Sequence, residues 1–115
     1  MKRVVVTGMG VVAPLGNELD SFYNALLQGK SAASTIRPFF DDTSIVVCAP
    51  NEEGFEKHLN RKQLSKWDKF IQYAYVASME ALEHADVDLD QIDKTRGGVL
   101  MGSGMGGLEM FSAQV

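Results

Sequence analysis

At 115 residues the chain has the size of one ordinary domain, and a composition 45% hydrophobic and 23% charged fits a soluble globular protein, not a disordered or fibrous one. Fifteen acids against 11 bases give a net charge of −4, which argues against nucleic acid as the main partner. No apolar run nears the roughly 18–20 residues of a membrane span or the core of a signal peptide, and a lone cysteine fits a reducing compartment without an internal disulfide.

Taken in order, residues 3–12 (Arg-Val-Val-Val-Thr-Gly-Met-Gly-Val-Val) are almost continuously apolar and β-branched, which predicts a strand buried on both faces of a parallel sheet. Pro14 and Gly16 end it. Asn17 is the expected N-cap of a first helix carrying Leu19, Phe22, Tyr23, Leu26 and Leu27, stopped by Gly29. Residues 30–43 read as irregular, and 45–49 as a short strand closed by Pro50. Residues 51–59 are polar and read as a loop or a short helical turn.

Ser65-Lys66-Trp67-Asp68 has the form of a capping box, opening the longest helix, which runs to about Ala85. Its middle, residues 73–79, carries no charge on any face, and a helix apolar all round is expected to be buried all round. Ala74, Ala77, Ser78 and Ala81 are small enough for a neighbouring backbone to approach closely. An acidic connection over 86–96 leads through Gly97-Gly98 into a last strand at Val99–Met101. A loop holding four glycines, 102–107, follows, and residues 108–111 look like the start of a helix. The alternation of strand and helix predicts an α/β layered fold over one partial domain, residues 1–115. A strand, a glycine loop and an unfinished helix do not close a domain, so the chain is expected to be the front end of something longer.

Two glycine runs invite a dinucleotide reading. Gly8-Met9-Gly10-Val11-Val12-Ala13 fits G-x-G-x-x-A, but Pro14 and Gly16 stand where the helix should begin, and no acid-ended second strand follows. Gly102-Ser103-Gly104-Met105-Gly106-Gly107 has no second strand after it to test. Close backbone packing is the plainer use of both. Cys48 lies in an apolar strand with no cation beside it in sequence, and His58 and His84 read as surface residues, so no thiol–imidazole pair is expected. No metal-ligand spacing occurs, and no cofactor is expected. Lys57, Arg61, Lys62, Lys66 and Lys69 stand against Asp68 as the single acid of that stretch. Such a patch in an acidic chain is either a solvated helix end or a docking site for a small acidic partner.

Residues 2–10, then Pro14-Leu15-Gly16-Asn17, then Leu26-Leu27-Gln28-Gly29-Lys30-Ser31, resemble the opening of the elongating β-ketoacyl-acyl-carrier-protein synthases. Phe70-Ile71-Gln72-Tyr73 and residues 102–108 resemble that family's pillar helix and glycine loop. The resemblance covers nearly the whole chain but only about the first quarter of a family member. It implies a thiolase-like layered fold of two similar α/β halves, a homodimer, and a decarboxylative Claisen condensation of acyl and malonyl groups in fatty-acid elongation. In the family, a cysteine and two histidines carry that chemistry from positions beyond residue 115; Cys48 matches no nucleophile motif, so the chain alone is expected to be inactive. Acyl carrier protein is the implied partner, docking at Arg61, Lys62 and Lys66; Ser65 stands where a further cation is common. Met105 resembles the loop side chain that gates acyl length. Ala32-Ala33 departs from the usual Gly-Ile, and residues 45–50 are shortened. The run 92–99 has a plastid character, so a plastid stroma or a bacterial-type cytoplasm is implied, with no membrane or nucleic acid engaged. A non-catalytic or truncated relative of the same fold, and a nucleotide-binding α/β oxidoreductase, are the alternatives.

Overall fold

The computed structural model describes residues 2–36, 45–107 and 110–112. They fall into two compact units, one over residues 11–53 and one joining residues up to 10 with those from 54 onward.

In the unit over 11–53, the first helix, α1, spans Leu19–Leu27. It ends as the sequence predicts. Gly29 takes a left-handed φ of 63°, and the N–H groups of Gly29 and Lys30 donate to the carbonyls of Leu26 and Ala25. That reciprocal pair is a Schellman stop. Its start differs: the N-cap is Glu18, without a side-chain cap. Asn17 is occupied elsewhere, its amide donating to the carbonyls of Asn51 (2.7 Å) and Glu53 (3.1 Å). Two short strands, β1 (Ser34–Ile36) and β2 (Ile45–Val47), pair antiparallel with Ser34 opposite Val47. β2 was legible in the sequence, whereas β1 lies in the stretch read as irregular. Three residues are too few to show a period, and the pairing comes from β2.

In the other unit, a single 3-10 turn at Phe55–Lys57 precedes α2 (Arg61–Lys66) and α3 (Lys69–Ala85). The capping box exists but not at Ser65. Asn60 Oδ1 accepts from the Gln63 N–H at 3.0 Å, and Gln63 Oε1 accepts from the Asn60 N–H at 2.8 Å. Replacing Asn60 with alanine should cost about 1 kcal/mol by urea unfolding, with Asn60→Ser restoring most of it. Ser65 instead lies inside α2, its hydroxyl donating to the Lys62 carbonyl.

The expected strands at 3–12 and 99–101 do not form, and no parallel sheet is present among the described residues. Val4 and Leu100 are 95% and 97% exposed. A strand is held by hydrogen bonds to a neighbouring strand, and no described segment supplies one to either stretch. The N-terminal segment packs on α3 instead. A Cβ on Gly8 would run into the Ala81 carbonyl and the Ala85 backbone; one on Gly10 would run into the Ala77 carbonyl and the Ala81 nitrogen. The missing side chains let backbone lie on backbone. These glycines serve packing, and no phosphate cradle forms from them. Between them, the Met9 N–H donates to His84 Nδ1 at 3.0 Å.

α3 is not buried all round. Gln72 and Val76 are its buried residues. Tyr73 meets the ring of Phe55 edge-on at 5.9 Å, and Tyr75 meets Trp67 likewise at 5.5 Å. Its remaining apolar face looks onto an open hollow. Residues 110–112 are helical; 108 and 109 of the expected helix start lie outside the described residues.

Candidate functional site

α2 carries the first candidate surface. Arg61, Lys62 and Lys66 are all exposed, and among the described residues none pairs with an acid. Lys62 and Lys66 stand one turn apart on one face of the helix. The first turn of α2 holds no acid, and two cations there oppose the helix dipole. Local helix stability therefore gives no reason for the placement of Arg61 and Lys62, whereas Lys66 falls in the last turn, where the dipole favours a cation. Of the other cations in the sequence cluster, Lys57 is drawn away to α3, where its ammonium pairs with Glu83 at 2.6 Å and Glu80 at 3.4 Å.

The second candidate is an apolar hollow of about 530 Å³ beside α3. Phe70, Ala74 and Ser78 form one wall; Val99, Met101 and Ser103 form another. Ser78 adds no polarity, because its hydroxyl donates back to the Ala74 carbonyl at 2.6 Å. The glycine loop turns against this helix. Gly106 lies flat on the Phe70 ring, where a Cβ would sit 2.8 Å from ring carbons, and Gly107 takes a φ of 81°. Met105, between Gly104 and Gly106, projects outward with 76% exposure and is not part of the wall of the hollow. Gly102 and Ser103, from the same loop, are.

Cys48 is exposed. The hydrogen bonds of both histidines go elsewhere: His84 to Met9, His58 Nε2 to Glu80 at 2.6 Å. The surface reading of His58 is therefore corrected, since its side chain is 4% exposed and sits in a cluster with Glu80, Glu83 and Lys57. Hydrogen bonding from His58, reinforced by Lys57, holds the Glu80 carboxyl below the ordinary range, although partial burial opposes this. Lys57 is raised, chiefly by its bond to Glu83. Sequence spacing gave no sign of this cluster, because its members come from segments 22 or more residues apart.

Residues 1–114 match the family described as "Beta-ketoacyl synthase, N-terminal domain". The chain belongs to the β-ketoacyl synthase family. It is 40% identical over 112 residues to 3-oxoacyl-[acyl-carrier-protein] synthase 2 of Vibrio cholerae, covering 96% of this chain and 27% of that protein. It is also 40% identical over 119 residues to the chloroplastic 3-oxoacyl-[acyl-carrier-protein] synthase I of Arabidopsis thaliana, with 99% and 25% covered. For synthase 2 of Staphylococcus aureus the identity is 37% over 112 residues, with 96% and 27% covered. The chain thus spans about a quarter of the length of these relatives. The oxidoreductase alternative falls with the family match. Among the described residues, no helix is long and apolar enough to cross a membrane.

Proposed function

We propose that this chain is the N-terminal portion of an elongating 3-oxoacyl-[acyl-carrier-protein] synthase, an acyltransferase that condenses acyl and malonyl groups by decarboxylative Claisen chemistry. Its own share of the work is recognition. Arg61, Lys62 and Lys66 dock the acidic surface of an acyl carrier protein, and the glycine loop, with Met105 at its tip, borders the acyl pocket. The fold reading that goes with this is a thiolase-like layered one working as a homodimer. In it, residues 3–12 and 99–101 become strands once the remaining length seen in the relatives lies beside them. The β-branched composition of residues 3–12 and the uncharged apolar run at 99–101 support that reading. A reducing plastid stroma or bacterial-type cytoplasm is the matching compartment, given the single exposed cysteine.

The observation that carries the docking role is the set of exposed cations on α2 with no acid paired to them among the described residues, in a chain of net charge −4. Left unpaired, they keep their charge available to a partner. In the full-length enzyme, Lys62→Glu with Lys66→Glu should slow association with acyl carrier protein by roughly ten- to a hundredfold at low salt. The difference should shrink near 0.5 M salt, since exposed charges are screened beyond about 8–10 Å already at physiological ionic strength. Stopped-flow association rates across a salt series decide it. Unchanged rates at low salt would leave these residues as a solvated helix end.

No residue of this chain is assigned as the nucleophile. A reactive thiolate needs a base or cation beside it, and Cys48 has neither histidine bonded to it. Incubated alone with acyl- and malonyl-carrier protein, the 115-residue chain should yield no 3-oxoacyl product by mass spectrometry. Product formation that survives Cys48→Ala, or depends on it, would equally contradict the assignment.

A further inference from the structure

Away from the basic face and the hollow, His58, Glu80 and Glu83 gather one imidazole and two carboxylates. One donor atom from each lies within 4.8 Å of the other two. The imidazole is held in place. His58 follows the turn at Phe55–Lys57, and Phe55 and Leu59 on either side of it are both buried. Glu80 and Glu83 stand three residues apart on α3, so their side chains share a face.

The ammonium of Lys57 marks where a cation sits among these groups. It lies 2.6 Å from Glu83 Oε2 and 3.4 Å from Glu80 Oε1, and that same Glu80 oxygen is 2.6 Å from His58 Nε2. Two carboxylates against one ammonium leave a net negative charge beside the ring. Lys57 is also poorly retained: its side chain is 56% exposed, and such ion pairs are of the weak surface kind. It can swing into water on its flexible stem.

We propose that His58, Glu80 and Glu83 form a binding site for a divalent cation of the zinc class, which displaces the Lys57 ammonium. One nitrogen and two oxygens are a donor set that zinc accepts, with water completing a tetrahedron. Zinc bonds of about 2.0–2.1 Å place neighbouring ligands roughly 3.3 Å apart, so rotation of the two glutamate side chains has to open the 2.6 Å His58–Glu80 contact and close the longer spacings, which reach 4.8 Å. Magnesium and calcium, which prefer all-oxygen shells, fit the imidazole poorly.

Titrating the full-length enzyme with Zn2+ in a calorimeter, and with Co2+ followed by its visible absorption, tests the site. One ion per chain is expected. His58→Gln and Glu80→Gln should each weaken binding by at least about tenfold. Lys57→Met should tighten it severalfold by removing the competing charge. His84→Gln should leave it unchanged. The absence of saturable binding below about 1 mM would overturn the proposal. So would binding that His58→Gln leaves intact, or that His84→Gln abolishes. Should His58→Gln fail to fold, Lys57→Met decides alone, because it alters a half-exposed surface side chain; zinc bound no more tightly by that variant would count against the site.

Discussion

Replacing Gly10 with alanine is expected to destabilise the fold by about 2–3 kcal/mol, a large share of a domain's margin of roughly 5–15 kcal/mol. The added methyl would lie against the Ala77 carbonyl, 2.8 Å from the Ala81 nitrogen and 3.0 Å from the Ala77 carbonyl carbon. Those atoms form one rung of the α3 ladder, where the Ala81 N–H meets the Ala77 carbonyl. Neither can yield without breaking the rung. Gly8 addresses the next rung, between Ala81 and Ala85, so Gly8→Ala should behave in the same way. Glycines two apart in an extended chain are separated by about 6.6 Å, close to the helix pitch of about 5.4 Å. Gly8 faces the later rung and Gly10 the earlier one, so the segment runs antiparallel to α3. The His84–Met9 bond then falls between two backbone contacts and cannot compensate once the segment lifts. Gly98 and Gly104 are the controls. Each has open space at the Cβ position and no positive φ, so alanine there should stay within about 0.5 kcal/mol. Urea midpoints for the four variants decide the point: alanine at 10 costing no more than alanine at 98 would remove the packing role of the glycine pair.

Close packing of small residues was legible in the sequence because it depends on size, and size is a property of the residue itself. The ends of α1 and α3 were legible for a similar reason. Gly29 is free to take the left-handed turn that stops α1, and α3 gives way at Ala85 to an acidic run, with Asp86 taking a φ of 50°. What the sequence left open is whatever depends on a partner. Val4 to Val6 have the composition of a buried strand, yet they form none here and stay exposed, because a strand needs a neighbouring strand that the segment itself does not specify. The same holds for Val99 to Met101. The capping box was displaced because two segments fit its pattern. Asn60-x-x-Gln63 caps α2, which takes Ser65 into its interior, and α3 then starts from Asp68 as its N-cap without a side-chain cap.

The candidate site divides along the same line. Five cations between residues 57 and 69 were visible as a charge run, and no local pattern set Lys57 apart from the other four. It is separated by Glu80 and Glu83, which are 23 and 26 residues away in sequence. His58 passed as a surface residue because a lone histidine in a polar stretch carries no sign of what lies over it. Its side chain is buried between two buried neighbours in sequence, Phe55 and Leu59, and the glutamate bond comes from α3. Lys57 is thus drawn off to α3, while Arg61, Lys62 and Lys66 stay exposed on α2.

Met105→Phe in the full-length enzyme is expected to exclude long acyl primers while sparing short ones. This rests on the proposal that the glycine loop borders the acyl pocket. The loop's footing on α3 is firm, with Gly106 against the Phe70 ring and Gly107 in a left-handed conformation that other residues adopt at a cost. Met105 itself is 76% exposed. An unbranched thioether rotates at little cost, so it can swing aside as an acyl chain lengthens. A phenyl ring is broader and stiffer, and its overlap with a long acyl tail should cost about 1–3 kcal/mol. At about 1.4 kcal/mol per factor of ten, that amounts to roughly ten- to a hundredfold discrimination in kcat/KM between long and short primers. Met105→Ala should act in the opposite sense, admitting longer primers without loss on short ones. Competition assays with mixed primer lengths read the ratio directly, and a rate loss equal across all lengths would make Met105 a structural residue of the loop with no part in gating.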